Sequence, residues 1–134
     1  MRYEARLRKI QCKKLHEGSD EIYYQLDGVD QRPAGDPDYW LFEEVSGADP
    51  RRVDRRVLVG AGGTTVTLRL MEQDAFGQSQ HDLLGEVVLR AKAGKVAFEP
   101  TVGTTYRGLE NGFDVVDFHA ADGVYALHFK WTVT

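Results

Sequence analysis

GVYALHFKWTV, residues 123–133, has a bulky apolar side chain at every second position. Tyr125, Leu127, Phe129, Trp131 and Val133 share one parity, while Ala126, His128, Lys130 and Thr132 take the other. A repeat of two is that of a β-strand, whose side chains alternate between faces, so this run reads as a long strand with one buried face. DVVDFHA precedes it across Ala121-Asp122-Gly123, and Asp-Gly between two such runs is a hairpin signal.

The same period recurs outward along the chain. VTLRLM puts Val66, Leu68 and Leu70 on one face and Thr67 and Arg69 on the other. Further strand candidates are YEARLRKIQCKK, EIYYQLDGV, DYWLFEEV, RRVLVG, LGEVVLRA and KVAFEP. The first of these changes parity between Leu7 and Ile10, which implies a bulge or burial on both faces. HEGSD, DQRPAGDPD, SGADP, GAGG, KAGK and RGLENG punctuate the runs with turn-forming residues. No long stretch carries helical periodicity. Roughly eight strands at short spacing predict an all-β antiparallel sandwich or barrel, and 134 residues form most simply one domain, 1–134.

Composition narrows the function classes. The net charge of −4 argues against a general nucleic-acid binder, although residues 1–14 carry six basic residues against Glu4 alone. Arg51, Arg52, Arg55 and Arg56 form a second basic cluster around Asp54. Such clusters can attract anionic headgroups or phosphates, or simply solvate strand faces and protect an edge. Cys12 is the single cysteine, which excludes an intrachain disulfide and fits a reducing compartment. MRYEARLRKIQ has no apolar core of signal-peptide length, and no segment approaches a transmembrane span, so a cytoplasmic location is expected.

Catalytic patterns are sparse, and a non-enzymatic role is expected. Ser19, Ser46 and Ser79 lie in no nucleophile-elbow pattern, and His16, His81, His119 and His128 have no zinc-site spacing. GAGGTT at 60–65 lacks the Gly-Lys-Ser/Thr ending of a phosphate loop and leads into a strand, so it reads as a hairpin turn. Two acidic loops share one design instead. KLHEGSDEIYYQL sets Glu17, Asp20 and Glu21 around Gly18, and MEQDAFGQSQHDLLGE carries Glu72, Asp74 and Asp82. Calcium takes six to eight oxygens at flexible geometry, commonly from carboxylates and loop carbonyls, which two such loops could supply together.

The order of residues in these loops resembles the C2 domain. GSDEIYYQL is similar to that family's first calcium-binding loop, and LRLMEQDAFGQSQHDLLGEVVL to its signature loop, an acidic-x-acidic pair with a later acid before two apolar residues and a glycine. The resemblance covers roughly 40 residues and implies an eight-stranded Greek-key sandwich. It further implies a Ca2+ site at Glu17, Asp20, Glu72, Asp74 and Asp82, with Phe76 as an apolar contact near the loop tip. Glu72 stands where the family carries aspartate, and Glu21 and Ile22 where it prefers proline.

Two functions follow as expectations. One is a calcium-modulated module that attaches through these loops to an anionic membrane surface or a protein partner, assisted by Arg51, Arg52, Arg55 and Arg56. The other is a metal-free interaction subunit, one component of a larger assembly, using edge strands and the aromatics of DPDYWLF. A sugar-binding sandwich with Tyr39, Trp40 and Tyr106 as stacking platforms is a minor third.

Overall fold

The structure, a computed structural model, describes residues 1–45, 50–73 and 81–134. Among these residues there are eleven strands and no helix, so none is long and apolar enough to cross a membrane. The strands are β1 (Tyr3–Lys14), β2 (Asp20–Leu26), β3 (Val29–Gln31), β4 (Trp40–Phe42), β5 (Arg51–Gly60), β6 (Thr65–Gln73), β7 (Asp82–Lys92), β8 (Lys95–Val102), β9 (Thr104–Glu110), β10 (Phe113–Phe118) and β11 (Val124–Val133). They form two antiparallel sheets, one in the order β5-β1-β11-β10-β9 and the other in the order β3-β2-β6-β7-β8 with β4 also paired to β2.

The alternation in the sequence becomes the core. Tyr125, Leu127 and Phe129 of β11 and Leu7, Ile10 and Cys12 of β1 are fully buried, as are Ile22 and Tyr24 of β2 and Leu68 and Leu70 of β6. They belong to one apolar cluster shared by both sheets, the arrangement of a β-sandwich. The parity change in β1 is a bulge, since its register against both β11 and β5 shifts between Leu7 and Lys9.

The strand count exceeds the expected eight for local reasons. EIYYQLDGV is two strands, because Asp27 and Gly28 adopt positive φ and fold β3 back along β2. TTYRGLE, not expected as a strand, forms β9 at the sheet edge, where few of its side chains need to be apolar. DYWLFEEV contracts to β4, with Trp40 and Phe42 both turned inward. That burial removes Trp40 as a sugar platform, and Tyr106 lies on β9 of the other sheet, stacked on Phe98 at 5.7 Å.

The basic cluster on β5 is largely engaged within the chain. Arg51 donates to the Leu41 carbonyl at 2.8 Å with its guanidinium 5.3 Å from the Phe42 ring centre. Arg55 donates to the Arg32 carbonyl at 2.7 Å and covers Trp40 in the same way. Arg56 pairs with Glu4 at 2.8 Å, while Arg52 is exposed. Arg51 and Arg55 thus roof two core aromatics, using the affinity of a guanidinium for a ring face.

Candidate functional site

Period-two alternation does not stop at the end of the apolar rows. On β6, Val66, Leu68 and Leu70 face inward, and the next residue of that parity is Glu72, which is 1% exposed. On β2, Tyr24 and Ile22 lead in the same way to Asp20, which is fully buried. Register then sets Glu72 opposite Ile22 on one side and Asp82, the first residue of β7, on the other. Each inner row therefore ends in a carboxylate at one end of the sandwich.

Asp20 is the organiser of this end. Its Oδ2 accepts the His16 backbone N–H at 2.8 Å and the Tyr125 hydroxyl at 2.5 Å, and its Oδ1 accepts the Glu17 N–H at 3.0 Å. Three donors on one buried carboxylate are what a buried charge requires. The two backbone bonds also hold the loop at His16 and Glu17 against the start of β2. Burial and then the Asp20 hydrogen bond push the Tyr125 hydroxyl far above its ordinary range, so it stays a donor.

The folded loop delivers His16 and Glu17 to Glu72 and Asp82. One ligand atom from each of these four residues lies within 4.8 Å of the other three. Nε2 of His16 is 3.0 Å from Asp82 Oδ2 and 3.9 Å from Glu17 Oε1. Glu17 and Asp82 are exposed, each side chain at 53%, whereas His16 is half-buried and Glu72 is buried. Oε1 of Glu72 is buried with no hydrogen-bond partner among the described residues, a costly condition for a carboxylate oxygen. Burial, together with the charges of Glu17, Asp20 and Asp82, pushes Glu72 up to about 7, against a lowering hydrogen bond from the Glu21 backbone. For His16 burial opposes the charged form, but the hydrogen bond and charge of Asp82, with Asp20 and Glu17, outweigh it and raise its pKa.

The β10–β11 connection closes the end from the other sheet. His119 N–H donates to the Gly103 carbonyl at 2.8 Å and Ala120 N–H to the Leu84 carbonyl at 2.9 Å, which straps residues 119–123 across the gap. Gly123 then lies so close to His16 that a Cβ would stand 2.8 Å from its backbone N and 2.9 Å from its Cβ. Gly123→Ala is expected to cost about 1–3 kcal/mol in urea unfolding, since backbone must move to admit the methyl group. It should also disturb His16, visible as a changed imidazole resonance. An unchanged midpoint and an unchanged resonance would show that the contact relaxes freely.

Of the expected cation ligands, Glu17, Glu72 and Asp82 come together. Asp20 does not join them as a free ligand, because its two oxygens already hold the loop and Tyr125. Asp74 and Phe76 lie outside the described residues. His16 was missed. Its spacing to other histidines carries no signal, and only its adjacence to Glu17 in a glycine-containing acidic loop could have pointed to it.

Fold and site together define the class: a two-sheet antiparallel β protein with a histidine–carboxylate cluster at one end of the sheets. Comparison with protein-family models finds no match, and comparison with curated proteins finds none either.

Proposed function

We propose that this protein is a non-enzymatic, C2-like binding module whose attachment to an anionic membrane surface or a protein partner is modulated by a divalent cation at the loop end of the sandwich. The observation that carries this reading is Glu72, a buried carboxylate in one cluster with Glu17, Asp82 and His16, whose Oε1 has no hydrogen-bond partner among the described residues. A buried carboxylate with one oxygen lacking a donor among the described residues, beside two further carboxylates, is relieved most directly by a cation. Without one, the negative charge repels an anionic surface. With one, the charge falls and the loop end can approach. Calcium is the cation implied by the C2 resemblance.

The test is a titration of the chelator-stripped protein with CaCl2, ZnCl2 and MnCl2, followed by melting temperature and by cosedimentation with phosphatidylserine vesicles. At least one cation should raise the melting temperature by several degrees at saturation and increase vesicle attachment. Glu72→Gln combined with Asp82→Asn should abolish both effects. Failure of all three cations to move the melting temperature would refute the reading. Cation-dependent stabilisation with no vesicle attachment would direct the search to a protein partner.

A metal-free docking subunit is the second reading, favoured by one feature. Val102, Tyr106 and Leu109 are large apolar residues left exposed on β8 and β9, which are edge strands of their sheets. Self-association or partner binding lost on Leu109→Lys, with no response to any cation, would support it.

A further inference from the structure

The composition of the cluster allows a choice among cations, and this step rests on the cation-dependence proposed above. Calcium and magnesium are hard ions that take oxygen and accept imidazole poorly, whereas zinc and its neighbours in the first transition row take imidazole and carboxylate together. Here a ring nitrogen is built into the cluster. Nε2 of His16 lies 3.0 Å from Asp82 Oδ2, and the His16 backbone is held by Asp20 and backed by Gly123.

We propose that the site takes a divalent transition cation of the zinc class, bound through Nε2 of His16 together with the carboxylates of Glu17, Glu72 and Asp82. Four donors match the coordination number of zinc in its protein sites. Glu72 is buried and His16 half-buried, and these two form the inner wall. The other two are exposed arms. The present spread of up to 4.8 Å exceeds the ~3.4 Å donor–donor separation of a tetrahedral shell with bonds of about 2.1 Å, so the arms must close by up to about 1.4 Å. Exposed carboxylate side chains can make that movement without disturbing the core. A calcium shell would need six to eight oxygens. Among the described residues the cluster offers three carboxylates and a nitrogen, while the neighbouring Asp20 carboxylate is committed to three donors. Ligation by Nε2 leaves the ring proton on Nδ1, a buried atom with no hydrogen-bond partner among the described residues.

The experiment is calorimetric titration of the full, chelator-stripped chain with ZnCl2 and separately with CaCl2, for wild type, His16→Ala and Glu72→Gln. Zinc is expected to bind once per chain and at least about tenfold more tightly than calcium. His16→Ala should weaken zinc by about tenfold or more and leave any calcium binding within about twofold. Glu72→Gln should weaken both. A measurement on the wild-type chain keeps the test independent of variant folding: zinc should shift the His16 Nε2 nitrogen resonance and leave those of His81, His119 and His128 in place. Calcium tighter than zinc, zinc affinity unchanged by His16→Ala, or an unshifted His16 nitrogen would each overturn the transition-metal assignment while cation-dependence could stand. No binding of either ion would overturn both.

Discussion

Asp20→Ala is expected to destabilise the protein by about 3–5 kcal/mol, the largest loss among substitutions near the loop end. Truncation removes an acceptor from three donors at once: the backbone N–H groups of His16 and Glu17 and the hydroxyl of Tyr125. The hydroxyl belongs to a fully buried ring and has no route to water. Leaving a buried donor unsatisfied costs about 1–3 kcal/mol, and breaking a buried charged network by removing one member costs about 3–5 kcal/mol. Relief from burying the Asp20 charge works the other way and limits the sum. Asp20→Asn keeps the shape but puts an NH2 where an acceptor is needed, so an intermediate loss is expected. Tyr125→Phe removes one donor together with its demand for a partner and should cost only about 1–2 kcal/mol. Urea unfolding of the two single variants and Asp20→Ala/Tyr125→Phe gives the coupling directly. A loss below about 1 kcal/mol for Asp20→Ala would mean that this carboxylate is not the organiser of the 15–19 loop.

Glu72→Gln is expected to do the opposite in the presence of chelator, raising stability at pH 8 by about 2–3 kcal/mol. In the folded protein the Glu72 carboxyl is pushed up to about 7 from an ordinary 4.5. A carboxylic acid whose folded pKa is raised holds its proton longer in the native state. Its contribution is therefore fully present below the unfolded value and is lost as pH rises through the folded one. Over this interval, at about 1.4 kcal/mol per pH unit, the loss at pH 8 is about 3 kcal/mol. His16 acts in the same direction. Its folded pKa is raised above 6.5, so the stability it contributes below that pH also disappears on going alkaline. Wild type should thus be more stable near pH 5 than at pH 8 in chelator, with a shallower pH dependence in Glu72→Gln. Added cation should reverse the ranking at pH 8, stabilising wild type and leaving the glutamine variant nearly unchanged. Thermal melts at the two pH values, with and without chelator, report all four conditions. A Glu72→Gln variant less stable than wild type at pH 8 in chelator would show that the carboxylate has a favourable partner after all.

The inner-row positions of two of these carboxylates follow from parity. Val66, Leu68 and Leu70 face inward, so Glu72 must, and Tyr24 and Ile22 carry Asp20 inward in the same way. The turn at Ala93-Gly94 was legible for a similar reason, because an Ala-Gly pair encodes backbone geometry locally, whereas the Asp27-Gly28 turn lay inside a run read as one strand. The short strand β3 and the polar edge strand β9 were not legible. Both owe their pairing to a neighbour rather than to their own pattern, and an edge strand buries too little to need one.

Local alternation and turn chemistry were enough to determine that this is an all-β chain with acidic residues concentrated at two loops. Which acids meet, and which become structural, was decided only by tertiary contact. Asp20 and Glu72 read alike in sequence, yet Tyr125 and the loop backbone engage one, while an oxygen of the other has no partner among the described residues. His16 enters the cluster because Gly123, on a strand connection far along the chain, leaves room for its backbone and Asp20 holds it there. Such proximity arises from packing between segments distant in sequence, for which a one-dimensional pattern of hydropathy and charge carries no term.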